Sequence, residues 1–159
     1  MRRTVPILAA LLLLSATLLP ALSRSDFDRV VDFGVTLKTL SAAAEGKAPL
    51  PGGRMVVLTG TVSDITIVNR ERATFKARIE LTTGEWIGLE DVKAYSCYVD
   101  FAGGEYFNVF PARAPREPVP GTIVSNARAL VVGRVVGIVD ASNGEKRVLL
   151  DGAWIRSIE

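Results

Sequence analysis

The chain has 159 residues, no histidine and a single cysteine, Cys97. Without histidine there is no imidazole base, no Ser-His or Cys-His nucleophile pair, and no histidine metal ligand. A lone cysteine excludes an intramolecular disulfide, so stability must come from an apolar core, which a sequence 48% hydrophobic can supply. No phosphate-cradling glycine loop or metal-ligand cluster is present. The neighbouring acids Glu90 and Asp91 would point apart on an extended chain, a poor arrangement for paired acid–base work. Neither catalysis nor a cofactor nor a metal is expected.

Excess charge is also scarce. The 19 Lys and Arg against 17 Asp and Glu give a formal +2. Arg2 and Arg3, however, open a leader-like segment. Ile7 to Leu19 is almost wholly apolar, and Pro20-Ala21-Leu22-Ser23 places small residues at −3 and −1 of a cut after Ser23. This predicts a signal peptide over residues 1–23, a periplasmic or secreted protein, and no stable membrane span after cleavage. The alternative is a retained anchor, since the stretch from Val5 to Leu22 is close to the shortest membrane helix. Removing residues 1–23 leaves 17 charges of each sign. A neutral domain lacks the positive field of a dedicated nucleic-acid binder.

Residues 24–54 read as a short helix and a linker. Ser25 to Ala44 is the predicted helix, capped by Ser25 or Asp26, with Phe27, Val30, Val31 and Gly34 at i, i+3, i+4, i+7 spacing and the stripe continuing to Leu37 and Leu40. Packing on the following domain is its expected role, with a spacer or partner-binding helix as the alternative. Gly46 to Gly53, with Pro49 and Pro51, is a linker by composition.

Residues 55–159 read as strands. Val56 to Val68 changes face halfway: Leu58, Gly60 and Val62 are apolar or small on even numbers, Ile65 and Ile67 on odd ones. Side chains in a strand alternate with period two, so the switch implies a bulge near Ser63–Asp64 and a long strand serving two neighbours. Phe75, Ala77, Ile79 and Leu81 alternate with polar residues. Thr82-Thr83-Gly84 is read as a turn into a short segment, Glu85 to Leu89. Tyr95, Cys97, Val99 and Phe101 alternate inward against Ala94, Ser96, Tyr98 and Asp100 outward. Cys97 is therefore expected to be a small buried hydrophobe. Glu105 to Phe110 is a short strand or an aromatic flap, and the prolines at 111, 115, 118 and 120 forbid a helix beyond it. Ala129 to Val139 is a buried strand whose Gly133 and Gly137 suit tight coiling. Asn143-Gly144 signals a type I′ hairpin, and Lys146 to Ile158 closes the chain with a bulge at Asp151-Gly152.

This order of strands resembles an oligonucleotide/oligosaccharide-binding (OB) fold, and in particular the exported bacterial domains of the tRNA anticodon-like OB family. The matching stretches are Val57-Leu-Thr-Gly-Thr-Val-Ser-Asp-Ile, Tyr95-Ser-Cys-Tyr-Val-Asp-Phe, Val131-Val-Gly-Arg-Val-Val-Gly-Ile and Val148-Leu-Leu-Asp-Gly-Ala-Trp-Ile. A periplasmic stress-associated OB family is similar but matches less well. The resemblance implies an all-β, five-stranded Greek-key barrel. It departs from the usual pattern where a proline loop replaces the helix between the third and fourth barrel strands.

An OB barrel binds on the outer face of its second and third strands, walled by the 1–2 and 4–5 loops. The resemblance thus points to Lys76, Arg78, Ser96 and Tyr98 on the face, Arg70 and Arg72 in one loop, and Lys146 and Arg147 beyond the other. Glu71, Glu80, Asp100 and Glu145 intersperse them, so the competing reading is a solvated face of mixed charge. Tyr106, Phe107 and Phe110 either contact a partner or fold inward to cap the barrel. The expected function is an exported, non-catalytic binding or interaction module, its partner a protein or glycan of the cell envelope. The alternative is a periplasmic oligosaccharide-, oligonucleotide- or anion-binding protein. Fold resemblance implies nucleic acid, but net charge does not support it.

Overall fold

A computed structural model describes residues 30–88, 91–113, 115–117 and 119–158. The predicted signal peptide and the caps Ser25 and Asp26 lie outside the described residues. Among the described residues no helix is long and apolar enough to cross a membrane.

The long strand β2, Met55–Asn69, organises the barrel. Its first half pairs antiparallel with β5, Arg128–Asp140, and its second half with β3, Lys76–Ile87. The hand-over occurs at Thr61, and the register with β3 slips between Val62 and Asp64, where the change of apolar phase predicts a bulge. β3 pairs with β4, Asp91–Ala102, which runs parallel to β6, Lys146–Ser157, and β6 returns to β5. The order β2-β3-β4-β6-β5-β2 closes a five-strand OB-like barrel. Among the described residues the sheet nevertheless holds six strands, not five. The additional β1, Val31–Asp32, lies parallel to Met55–Val56.

That strand also corrects the helix. Of the predicted helix, Ser25 to Arg29 lie outside the described residues and Val30 is helical, but Val31–Asp32 is extended and α1 covers Leu37–Ala44. The Gly34 amide hydrogen-bonds to the Asp32 side chain, turning the chain there. Thr36 then caps α1: its hydroxyl accepts from the Thr39 amide, and the Thr39 hydroxyl accepts from the Thr36 amide. Leu37, Leu40, Ala43 and Ala44 form the buried face, and α1 packs on β4 and β6 over one end of the barrel.

Inside, Phe75, Ala77, Ile79 and Leu81 meet Tyr95, Cys97, Val99 and Phe101 from β4 and Val56, Leu58 and Val62 from β2, all buried. Two glycines are set by close approach. A Cβ on Gly133 would lie 2.9 Å from the Asp151 carbonyl oxygen, and one on Gly152 would enter the Phe101 ring. The β5–β6 ladder slips beside both.

Two local expectations change. β3 does not turn at Thr82-Thr83-Gly84: its ladder with β4 continues without a break to Ile87↔Asp91, carrying a hairpin past the barrel edge. Alternation ends there because both faces of the projecting arm are wet, while backbone pairing persists. The β5–β6 hairpin forms, but not as a two-residue type I′ turn, which needs positive φ at both central residues. Gly144 has φ +81° and Asn143 does not share it. A longer loop closes on the Ala141 amide, which donates to the Glu145 carbonyl at 2.7 Å.

Beyond β4 the chain forms a 3-10 turn, Gly104–Phe107, and then an irregular run to β5. It folds against the opposite barrel end from α1. Phe110 and Ile123 are buried there, and the Ile123 amide donates to the Val109 carbonyl.

Candidate functional site

On the outer face of β3 and β4, register sets Arg78 opposite Asp100 and Glu80 opposite Tyr98. Arg78 grips Asp100 with two parallel hydrogen bonds, Nε to Oδ1 at 2.6 Å and Nη2 to Oδ2 at 2.9 Å. Its guanidinium lies 5.5 Å from the centre of the Tyr98 ring, a cation–π distance. Lys76 approaches the same carboxylate at 3.5 Å. Burial alone would push the Asp100 carboxyl up. The hydrogen bonds and charge of Arg78, with Lys76 beside it, prevail and hold it below its ordinary value.

Arg147, entering from β6, lies 3.7 Å from Glu80 and also hydrogen-bonds Glu145. Its Nε is buried with no hydrogen-bond partner and faces Glu80 by charge alone, while Nη2 donates to Glu145. Lys76, Arg78 and Tyr98 thus gather around Asp100, and Arg147 joins through Glu80. The cations of this face are already matched by its own carboxylates.

Four candidate residues sit elsewhere. Ser96 is not on an open face but buried, because α1 lies over it: the Ser41 side chain reaches its carbonyl. Lys146 lines a polar cleft of about 860 Å³ between the end of α1 and the β5–β6 loop, together with Glu45, Lys93 and Glu145. Arg70 and Arg72 stand at the other barrel end. Arg72 lies 5.6 Å from the ring centre of Phe107, and Arg70 and Phe107 line one small apolar cleft.

The aromatic segment divides. Phe110 is no contact surface. It is 1% exposed, with its ring 5.3 Å from Phe101 and stacked at 6.5 Å on Phe75, because the barrel end needs filling. Tyr106 is half-buried, packs 5.0 Å from Phe101 and donates its hydroxyl to the Ala153 carbonyl at 2.8 Å. Phe107, edge-on to Phe75 at 5.8 Å, keeps 36% of its surface open.

Sequence reasoning assigned no role to the tip of the β3–β4 arm. Trp86 is 71% exposed beside its cross-strand partner Val92, and Ile87 is exposed next to it. The arm is tied back by Glu85, which accepts from Lys38 at 2.7 Å and from the Tyr95 hydroxyl at 2.9 Å. Those bonds lower the Glu85 pKa, the Lys38 hydrogen bond most. Buried Cys97 sits apart from these surfaces, its thiol pushed up by burial. Among the described residues no three of His, Cys, Asp and Glu cluster so as to hold a metal ion.

No protein-family model matches the chain, and no curated protein matches its sequence. Solved structures are similar in fold at low identity. A protein described as an aspartyl-tRNA synthetase from Leishmania major Friedlin is 14% identical over 77% of this chain, with a TM-score of 0.48, and this chain covers 20% of its length. A small single-stranded DNA-binding protein from Streptomyces coelicolor is 13% identical over 67% of this chain and 93% of its own, with a TM-score of 0.41. A Plasmodium falciparum SSB in complex with ssDNA is 15% identical over 66% of this chain and 94% of its own, with a TM-score of 0.40.

Proposed function

We propose that this chain is an exported, non-catalytic interaction module on an OB-type barrel, and that its partner is a protein or glycan of the cell envelope rather than a polyanion. The observation that carries this is the charge pairing on the β3–β4 face. Arg78 and Lys76 share Asp100, and Arg147 is divided between Glu80 and Glu145. A phosphodiester chain laid there would have to displace carboxylates already in place. Salt-dependent binding by counterion release needs cations free to contact phosphate. The basic, apolar and small-residue pattern of residues 1–23 supports export.

The test is a chemical-shift titration of the mature domain with an oligonucleotide, envelope glycans and envelope peptides. The expected result is saturable shifts with a glycan or peptide and none with the oligonucleotide at Lys76, Arg78 or Tyr98. Saturable oligonucleotide shifts on those residues, abolished by a K76E/R78E charge reversal, would overturn it. Mass spectrometry of the protein recovered from the periplasm checks export: the expected mature N-terminus is Arg24.

A further inference from the structure

The loop from Arg70 to Phe75 and the segment from Gly104 to Ala112 enclose a concavity that β3–β4 face binding does not use. None of Lys76, Arg78 or Tyr98 lines it. Its volume is about 390 Å³, and its walls are Ile67, Phe75, Phe107, Phe110 and Pro111. Phe75 and Phe110 are buried and nearly parallel, at 10°, while Phe107 stands at 79° to Phe75 and is partly open. Three rings in stacked and edge-on relation leave a space whose walls suit another ring.

The polar part of the lining is small and one-signed. Among the described residues Arg70 is the only charged one that lines the space. It is exposed and has no hydrogen-bond or ion-pair partner among the described residues. Asn108 adds an amide, and Arg72, laid over Phe107, brings a second cation beside the rim. The intervening Glu71 forms no ion pair with either arginine among the described residues; its carboxylate accepts from the Thr74 hydroxyl at 3.3 Å.

The loop is also built rather than loose. Asn69 donates from its side-chain amide to Thr74 at 2.9 Å and accepts from the Glu71 amide at 2.9 Å. Gly104 lets the opposite wall close on it, since a Cβ there would lie 2.9 Å from the Arg72 carbonyl oxygen.

From this geometry we infer that the cleft between the β2–β3 loop and the 104–112 segment is a binding site for a small aromatic carboxylate of one or two rings, its ring against Phe107, the one of the three rings open to solvent, and its carboxylate on Arg70. The space falls at the small end of single-ligand pockets, which are apolar with a few placed polar groups. The charge of the lining fixes the sign of the ligand. Arg70 offers a planar fork matched to a carboxylate, and no acid lines the cleft to receive a cation. This goes beyond the proposed macromolecular partner and does not rest on it, so the two can fail separately.

The experiment is a pair of NMR titrations of the mature protein, with indole-3-acetate and with tryptamine, which carry the same rings and opposite charge. Indole-3-acetate is expected to give saturable shifts at Arg70, Phe107 and Asn108, with tryptamine binding at least tenfold more weakly. Arg70→Ala should weaken indole-3-acetate by about tenfold, the loss expected of one charge-assisted hydrogen bond. Arg70→Lys should restore part of it, and Phe107→Ala should weaken both compounds. Both side chains reach solvent, and unchanged amide shifts at Ala77 and Ile79 verify that each variant keeps its core. Equal binding of the two compounds, full binding by Arg70→Ala, or no saturable shift at the solubility limit of indole-3-acetate would each overturn the assignment.

Discussion

Replacing Gly152 by alanine tests the packing of the barrel end on which Phe107 and its cleft are built. The added Cβ would lie 2.6 and 2.7 Å from Cδ1 and Cζ of Phe101 and closer still to Cε1. Carbon atoms rest at about 3.5–4.0 Å, so the ring would have to move by roughly 1 Å. It has no free direction: Phe101 is fully buried, with Tyr106 5.0 Å away on one side and Phe110 5.3 Å away on another. Forcing an extra carbon into such a core costs about 1–3 kcal/mol. Gly152 has no positive φ, so alanine returns roughly 0.4–1 kcal/mol by restricting the unfolded chain. The net expectation is a loss of about 1–2 kcal/mol. With a urea m-value of about 1–3 kcal/mol/M, the midpoint should fall by roughly 1 M. A cycle with Phe101→Leu identifies the cause. Trimming the ring should make Gly152→Ala nearly neutral, a coupling of about 1–2 kcal/mol between residues in contact. A neutral Gly152→Ala, or losses that simply add, would refute the argument.

Asp100→Asn should cost about 1 kcal/mol at neutral pH, discounted because Arg78 is over a third exposed. The Asp100 carboxyl is held below its ordinary value, so its contribution is complete above the unfolded pKa of about 3.9 and is lost as pH falls through the folded one. Urea midpoints of wild type and variant should therefore converge below about pH 4, and a constant gap would contradict the ion pair. Cys97 should resist iodoacetamide in the native state and react once urea unfolds the barrel; alkylation at the native rate of a free thiol, read by mass spectrometry, would contradict its burial. Thr36→Ala should cost about 1 kcal/mol by removing the cap of α1, with Thr36→Ser retaining most of it in thermal unfolding.

The barrel was legible wherever one face of a strand is dry and the other wet. Phe75 to Leu81 alternates without error because β3 there lies between core and solvent, and the phase change in β2 exposed its bulge. Legibility failed where that contrast vanishes. The arm from Thr83 to Gly88 is exposed along its length, so Trp86 and Ile87 carried no alternation to read. The start of α1 failed for another reason. Val30, Val31 and Gly34 have helical spacing, but Val31 gains a strand partner in Met55, and a two-residue strand leaves no periodicity. The capping box at Thr36 and Thr39 was a local signal, masked by the longer stripe before it.

Candidate residues could be named from sequence, but their pairing could not, because pairing depends on register. One residue of slippage between β3 and β4 would turn Arg78 away from Asp100, leaving an unmatched cation on one face and an unmatched acid on the other. The unbroken ladder fixes that register and converts an apparent basic patch into a neutral surface. The same logic separates the two arginine groups. Arg78 lies within a strand, where an acid directly opposite is held by the ladder. Arg70 lies in a loop, where no ladder supplies a partner, and what meets it is the aromatic segment brought across by Gly104. Free charge on this molecule is therefore sought at the barrel ends, where loops rather than strands set the neighbours. Of those loops, the one closed over Phe75 joins a cation unpaired among the described residues to an open ring.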